Sequence, residues 1–480
     1  MNREFIINLF FLIFINLLIK PFYLFGIDRV VQNEVAQAEY GLYFALFNFT
    51  YLFQIINDFG LQNYNNRNIA MNPKELDRTF PSILLLKLGL GGLFLLLITI
   101  GFLLLDFPRA QMPLLWMIGG NWILLSLVLY FRSNISGLGF YRLDSFLSVL
   151  DKFLLIIIAG ILLWTPILPR PFKIEWFVYA QSASLFLTAT IIFFLVYQKL
   201  EKFDPKLNFQ VLKKLLKESL PYALAVFLMT VYFRIDGVMI ERMLPDGKEE
   251  AALYASAYRL LDTANIFGFL FAGLLLPMFT TLFRNKESIR SLLRLSFQLI
   301  WAGAVVLSIS CFFYQEQIMI TLYDSGSRYS GQIFGVLILS FLALSGSYIY
   351  GTLLVAKGVL KKMNVVFAIG LLLNFTLNSY LIPGHKALGA AFATLVTQIF
   401  IFVADIYLAK TILHLPTQVK WMIQLGVFSI LMIVNAIVLN QYLDAFWFVK
   451  FSSTIFLGII LAFVLKLISF SEIKKLLMTR

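Results

Sequence analysis

Residues 81–105 read PSILLLKLGLGGLFLLLITIGFLLL, and this stretch decides the class of fold. Its only charged residue is Lys87. As an α-helix the stretch is long enough to cross a hydrocarbon core of about 30 Å. A helix also satisfies its own peptide hydrogen bonds, which is required in a bilayer because the interior offers no water. The stretch therefore predicts a transmembrane helix.

The same apolar pattern recurs along the whole chain. Of the 480 residues, 60% are hydrophobic and only 14% are charged, a composition typical of a polytopic membrane protein. We predict an all-α fold with about fourteen transmembrane helices. The predicted spans are 5–25, 40–60, 81–105, 113–134, 146–165, 175–197, 219–243, 251–283, 295–315, 331–356, 363–383, 386–409, 420–440 and 446–469.

The positive charges of the loops predict the orientation of the chain. Lysine and arginine are about three times as frequent in the loops on the side of the N-terminus as in the opposite loops. We therefore expect both termini to be cytoplasmic. This bias also accounts for the net charge of +13, so the basic character does not call for a nucleic-acid partner.

Short loops and a single cysteine weigh against an enzyme. The predicted external loops leave no room for a folded catalytic domain, which a membrane polymerase or ligase of surface glycans would need. Cys311 is the only cysteine, so the chain has no intramolecular disulfide and no cysteine-based metal motif. We expect a transporter without a cofactor.

Two similar segments indicate an internal repeat. Residues 38–43 (AEYGLY) enter the second predicted span, and residues 250–258 (EAALYASAY) enter the eighth. The longest connection, 198–218, is rich in lysine and separates the two halves. Parallel repeats of this kind commonly enclose a site near the middle of the membrane.

Cations inside the predicted spans are the best indication of function. A charge at mid-membrane costs about 2.5–3.5 kcal/mol on insertion scales, so such residues usually face a wet cavity. Lys20 and Arg234 occupy corresponding positions of the two halves. We predict that they form a shared cationic site, with Arg259 and Lys87 as further cavity candidates. Snorkelling of Lys20 and Lys87 to a membrane surface is the structural alternative.

Four acids in or near the spans are candidates for binding a coupling cation, either Na⁺ or H⁺. Asp262 lies three residues after Arg259, so an ion pair within the helix is an alternative for both. For the other acids, helix capping or an ion pair is the alternative, although Arg234 and Asp236 are two apart and face different ways. The four candidates are Asp58, Asp236, Asp262 and Asp405.

Several motifs resemble the polysaccharide-biosynthesis flippases of the Wzx type, which belong to the multidrug/oligosaccharidyl-lipid/polysaccharide exporter superfamily. The most specific is LGAAFAT at 388–394, which follows Asn374, Asn378 and Pro383. The other matching stretches are AEYGLY at 38–43, NDFGL at 57–61, RNIA at 67–70, RID at 234–236 and YASAYRL at 254–260.

The resemblance implies two pseudo-symmetric six-helix lobes around a central cavity, at 1–200 and 201–415, followed by two additional transmembrane helices at 416–480. It further implies that the chain moves an undecaprenyl-diphosphate-linked oligosaccharide from the cytoplasmic to the outer leaflet of a bacterial inner membrane by alternating access. The cargo would be a repeat unit of O-antigen, capsule or exopolysaccharide. Membrane lipids and other polysaccharide-assembly proteins would be its partners.

A cation fits such a cargo, because charge attraction to a diphosphate strengthens as the effective dielectric falls. Two other functions known in the same superfamily remain as alternatives. A cation-coupled multidrug exporter would favour acids rather than cations in its cavity. A flippase for the peptidoglycan precursor lipid II would differ from the oligosaccharide flippase only in the lipid-linked substrate that it takes from the cytoplasmic side.

Overall fold

The structure is a computed structural model that describes residues 15–16, 18–59, 61–62, 65, 69, 72–167, 169–201, 209–415 and 419–467. Most of the first predicted span, most of the RNIA motif, part of the 198–218 connection and both termini lie outside these residues. The described residues form helices and contain no β-strand, which confirms the all-α prediction.

Fifteen α-helices follow one another in the described chain. A π-helical turn, Tyr23–Asp28, precedes the first of them, and a short 3₁₀ turn, Arg109–Gln111, precedes α5. The helices are α1 Arg29–Glu34, α2 Gln37–Leu52, α3 Ile55–Asp58, α4 Glu75–Leu104, α5 Met112–Gly137, α6 Tyr141–Trp164, α7 Ile174–Tyr197, α8 Phe209–Met243, α9 Gly247–Arg284, α10 Arg290–Phe313, α11 Gln315–Leu322, α12 Arg328–Lys357, α13 Leu360–Leu413, α14 Val419–Tyr442 and α15 Trp447–Val464.

Ten helical segments of the described chain are long and apolar enough to cross a membrane, so the chain is a multi-pass membrane protein. The total of fourteen spans stays a prediction. The ten are Glu75–Leu104, Arg109–Gly137, Arg142–Trp164, Ile174–Tyr197, Gly247–Arg284, Arg290–Phe313, Arg328–Lys357, Leu360–Leu413, Met422–Tyr442 and Trp447–Val464.

Helix α13 contains a break at Lys386, where φ is 51° and ψ is −136°. Its 54 residues would extend roughly 80 Å as one straight helix, far more than a hydrocarbon core. It must therefore hold two spans, as the sequence predicts for 363–383 and 386–409. Gly389 makes the turn possible, because a Cβ there would lie 2.5 Å from the carbonyl oxygen of Leu381.

The chain forms two compact units. Unit 1 is Met1–Arg242 with Asp246–Ala252, and unit 2 is Met243–Pro245 with Leu253–Arg480. Helix α8 therefore belongs to unit 1 almost to its end, so Lys20 and Arg234 lie in the same unit. The domain boundaries at 200 and 415, and the lobes that they delimit, stay predictions.

Unit 1 is held together by aromatic packing and one unusually close backbone contact. The rings of Phe80 and Tyr130 stack with centroids 5.7 Å apart, and the Tyr130 hydroxyl donates to the Phe80 carbonyl at 2.9 Å. A Cβ on Gly41 would lie 1.7 Å from the Lys248 carbonyl oxygen, so α2 touches the backbone of α9. Because lipid tails are as apolar as these side chains, packing and internal hydrogen bonds hold the helices together.

Unit 2 uses the same devices between α10, α12, α13, α14 and α15. The Ser308 hydroxyl donates to the Ile338 carbonyl at 2.9 Å, which joins α10 to α12. A Cβ on Gly346 would lie 2.1 Å from the ring of Phe402, so α12 packs closely on α13. In α15, Gly458 leaves room for Met432 of α14.

Candidate functional site

Three aromatic side chains of unit 1 form what we call the aromatic wall: Phe47, Tyr51 and Trp122. Phe47 and Tyr51 are four residues apart on α2 and therefore share a face. The Trp122 ring of α5 lies 5.0 Å from Phe47 and 4.7 Å from Tyr51, centroid to centroid. Its Nε1 donates to the Thr50 hydroxyl at 3.0 Å, which fixes the orientation of the indole.

Arg234 of α8 lies against this wall. Its Cζ is 5.3 Å from the ring centroid of Tyr51, a distance suited to a cation–π interaction. The guanidinium donors lie in the plane of the group, so an arginine stacked on a ring can still donate to a phosphate at its edge. Both side chains are half-buried. A cation and ring faces are thus combined in one place.

Amide and hydroxyl groups extend the polar character of unit 1 between α2, α5 and α7. Gln181 Nε2 donates to the Tyr43 hydroxyl at 3.0 Å. The Ser182 hydroxyl donates to Asn121 Oδ1 at 2.7 Å. Gln181 and Ser182 are half-buried, and groups of this kind exchange hydrogen bonds with sugar hydroxyls.

Lys20 has different surroundings from Arg234. The charged groups that act on it are Asp151, Lys152 and Arg132, and Asp151 pairs with Lys152 at 3.2 Å. Lys20 is half-buried among these groups of α5 and α6. The structure thus places Lys20 in a mixed-charge cluster and Arg234 on an aromatic ring, and a shared diphosphate site stays a prediction.

Lys87 is fully engaged inside unit 1. Its Nζ donates to Asp58 Oδ1 at 2.9 Å, to the Asn57 carbonyl at 3.1 Å and to the Ser126 hydroxyl at 2.7 Å. These three acceptors use all three donors of an ammonium group. The chain around them turns sharply, because Phe59 follows α3 with a φ of 45°. The arrangement favours a structural role for Lys87 and Asp58 over a role in binding substrate or a coupling ion.

The remaining candidates lie on three helices, Asp236 on α8, Arg259 and Asp262 on α9, and Asp405 on α13. Asp236 and Asp405 are buried, whereas Arg259 and Asp262 of α9 are half-buried. Asp405 lies against α12, since a Cβ on Gly351 would be 3.5 Å from its Oδ2. The coupling roles of the three acids, and cargo binding by Arg259, stay predictions.

Sequence reasoning did not identify two polar pairs in unit 2. The Tyr254 and Thr394 hydroxyls lie 3.3 Å apart, and Asn378 Nδ2 donates to Asn374 Oδ1 at 3.1 Å. All four side chains are buried. All four residues fall in or beside the family motifs, so these motifs are the sequence signal from which the two pairs could have been identified.

Comparison with known proteins identifies the family. The profile of the family described as "Polysaccharide biosynthesis protein" matches residues 6–283, which is more than half of the chain. The chain belongs to this family. The comparison with curated protein sequences gave no match.

Solved structures confirm the fold expected for a member of the polysaccharide biosynthesis family. The chain is similar to the lipid II flippase MurJ in an inward closed conformation, with a TM-score of 0.65, 15% identity, and coverage of 96% of this chain and 99% of that one. It also resembles an inward-facing MATE-family multidrug resistance transporter of the MOP superfamily, with a TM-score of 0.63, 14% identity and coverage of 81% and 93%.

A mutant of the Vibrio cholerae MATE transporter VcmN gives a TM-score of 0.57 at 14% identity, with coverage of 85% of this chain and 95% of that one. At such low identities the likeness concerns the fold alone. The polysaccharide biosynthesis protein therefore has the architecture of transporters in the MOP superfamily.

Proposed function

We propose that this chain is a flippase that moves an undecaprenyl-diphosphate-linked oligosaccharide from the cytoplasmic to the outer leaflet of a bacterial inner membrane. The oligosaccharide would be the repeat unit of an O-antigen, a capsule or an exopolysaccharide. Both termini would lie in the cytoplasm, and other polysaccharide-assembly proteins would work beside it. The observation that carries the proposal is Arg234 stacked on the aromatic wall.

The cargo explains why a cation and aromatic rings are needed together. A diphosphate and sugar hydroxyls lose their hydration in hydrocarbon, so an unaided crossing is costly. Arginine can return charge-assisted hydrogen bonds to the phosphate oxygens. The faces of sugar rings carry C–H groups, which pack on aromatic faces such as those of Tyr51 and Trp122.

Arg234→Ala tests this proposal directly. A hydrogen bond to a charged group contributes about 1.5–3 kcal/mol, so we expect flipping to slow by about 10- to 100-fold. The measurement is flipping of a fluorescent lipid-linked oligosaccharide by the purified chain in vesicles. Arg242→Ala is the matched control, because Arg242 stacks on Phe107 at 4.6 Å near the end of the same helix.

The same vesicles separate the two rival functions. Lipid II and an organic cation are offered in place of the lipid-linked oligosaccharide. Faster movement of lipid II would assign the peptidoglycan precursor as cargo, and efflux of the organic cation alone would make the chain a drug exporter. An unchanged flipping rate in Arg234→Ala would contradict the role of Arg234. Imposed Na⁺ and pH gradients identify the coupling ion, if the rate responds to either.

Tyr51 supplies a second prediction at the same place. Tyr51→Ala removes the ring under Arg234, and we expect a decrease in flipping rate of about tenfold. Tyr51→Phe keeps the ring and should retain most of the rate. Equal loss in both variants would mean that the hydroxyl, rather than the stacking surface, matters. Both rates are measured in the vesicle assay, after the amount of folded protein is matched.

A further inference from the structure

A cavity lies entirely within unit 2, between α10, α12, the second half of α13, and α14. Its volume is about 320 Å³, at the small end of ligand pockets, which range over about 300–1,000 Å³. It is too small for an oligosaccharide on a lipid. It could admit one apolar chain.

The lining changes in character along the two longest walls. On α10, Arg290 and Arg294 precede Phe297 and Trp301. On α13 the aromatic residue comes first in the sequence and the cation second, because Phe402 precedes Lys410. Since Phe297 and Trp301 both stack on Phe402, at 6.2 and 6.0 Å, the rings meet at one end and the cations gather at the other.

Among the described residues, no ion pair neutralises the positive charge at the cation end of the cavity. Within the part of the chain that is described, Arg290, Arg294 and Lys410 make no salt bridge. The first turn of α10 also lacks an acidic residue, so two arginines add to the positive end of the helix dipole. This arrangement is unfavourable by itself and becomes favourable when an anion binds.

The ring end contains a polar atom without a partner. Trp301 Nε1 is buried and has no hydrogen-bond acceptor among the described residues. A buried indole N–H usually has one. The ester carbonyl of a glycerolipid is such an acceptor, whereas a plain hydrocarbon or prenyl chain has none.

We propose that this cavity, the α10–α13 pocket, binds an anionic glycerophospholipid of the bilayer. Its phosphate lies at Arg290, Arg294 and Lys410, and one acyl chain lies along Phe297, Trp301 and Phe402. All three cations lie at helix ends for which the loop charges predict the cytoplasmic side, where anionic lipids and basic pockets between helices meet. The lipid would hold α10, α13 and α14 together, separately from the cargo.

Quenching of tryptophan fluorescence tests the proposal. The full chain is purified in detergent and titrated with phosphatidylglycerol carrying brominated acyl chains. We expect saturable quenching that is largely lost in Trp301→Phe and is much weaker with brominated phosphatidylcholine. Removing two cations with Arg290→Gln and Arg294→Gln should weaken binding by about 30-fold.

The matched control is Lys361→Gln with Lys362→Gln, which removes two exposed cations on the same predicted side but outside the pocket. Wild-type affinity in the double arginine variant, or equal quenching by phosphatidylcholine, overturns the proposal. Competition by undecaprenyl phosphate at lower concentrations than phosphatidylglycerol also overturns it, because the pocket would then belong to the cargo. Thermal unfolding shows that each variant is folded, and binding is read without any flipping activity.

Discussion

Gly41→Ala is expected to leave little folded protein in the membrane. The new Cβ would lie 1.7 Å from the Lys248 carbonyl oxygen and 2.8 Å from its carbonyl carbon. These are backbone atoms of α9 that no side-chain rotation can move. Overpacking costs about 1–3 kcal/mol where side chains can yield, and more where they cannot. The contact must therefore open.

Opening it would break further bonds between the same elements. Gln32 Nε2 donates to the Ala252 carbonyl at 3.1 Å, and Gln37 Nε2 donates to the Glu249 carbonyl at 3.2 Å. Both depend on the close approach of α9 at Gly41. The loss therefore exceeds that of one packing contact.

Expression in the membrane and thermal unfolding in detergent measure the effect. Gly89→Ala and Gly92→Ala are the controls, because both glycines lie in α4 and a Cβ at either position would have no neighbouring atom within 4 Å. Alanine is the better helix former, so these variants should be as stable as the wild type or more so. Normal folding of Gly41→Ala would show that α2 and α9 are not in contact.

Lys87→Met is expected to have the second large effect. The substitution keeps an apolar chain of similar length and removes the ammonium. Asp58, whose side chain is only 18% exposed, then loses the ammonium that pairs with it, whereas the Ser126 hydroxyl still donates to the Asn57 carbonyl at 2.9 Å. Breaking a buried pair by removing one partner costs about 3–5 kcal/mol, so we expect a large fall in the unfolding temperature.

The double variant Lys87→Met with Asp58→Asn separates a structural role from a role in binding. It leaves no unpaired charge, so folding should recover, at least in part. If the pair is structural, flipping by the folded protein recovers as well. A folded double variant without flipping activity would indicate that Lys87 takes part in binding the cargo. Lys74→Met, at an exposed lysine that precedes the same helix, is the control.

Apolar runs made most of the fold predictable. Residues 81–105 form the greater part of α4, because the bilayer requires both the length and the internal hydrogen bonds of a helix. The two predicted spans around Lys386 correspond to two helical segments that α13 joins across the break. The apolar pattern does not predict the close approach of Gly41 to α9. That contact exists only because the folded chain brings the Lys248 carbonyl next to Gly41.

The sequence identifies the charged residues within apolar spans as unusual, but it does not identify the groups that they contact. Lys87 and Arg234 were both singled out for their cost in a membrane, yet one lies among three acceptors and the other lies on Tyr51. No periodicity links Arg234 to Tyr51, because they come from distant parts of the sequence. Arg290 and Arg294 contribute to the positive charge of the loops in the sequence, but their place in a pocket depends on α13.

The pairing of Arg234 with an aromatic ring also bears on how a cargo could leave. Arginine stays protonated throughout the physiological range, so a change of pH cannot switch off its attraction for a diphosphate. Unloading must then come from displacement, either of the guanidinium away from the anion or of one anion by the next. A transporter that binds its cargo through this arginine would release it by a conformational change or by exchange for another anion. Without cargo, its site would remain able to bind an anion.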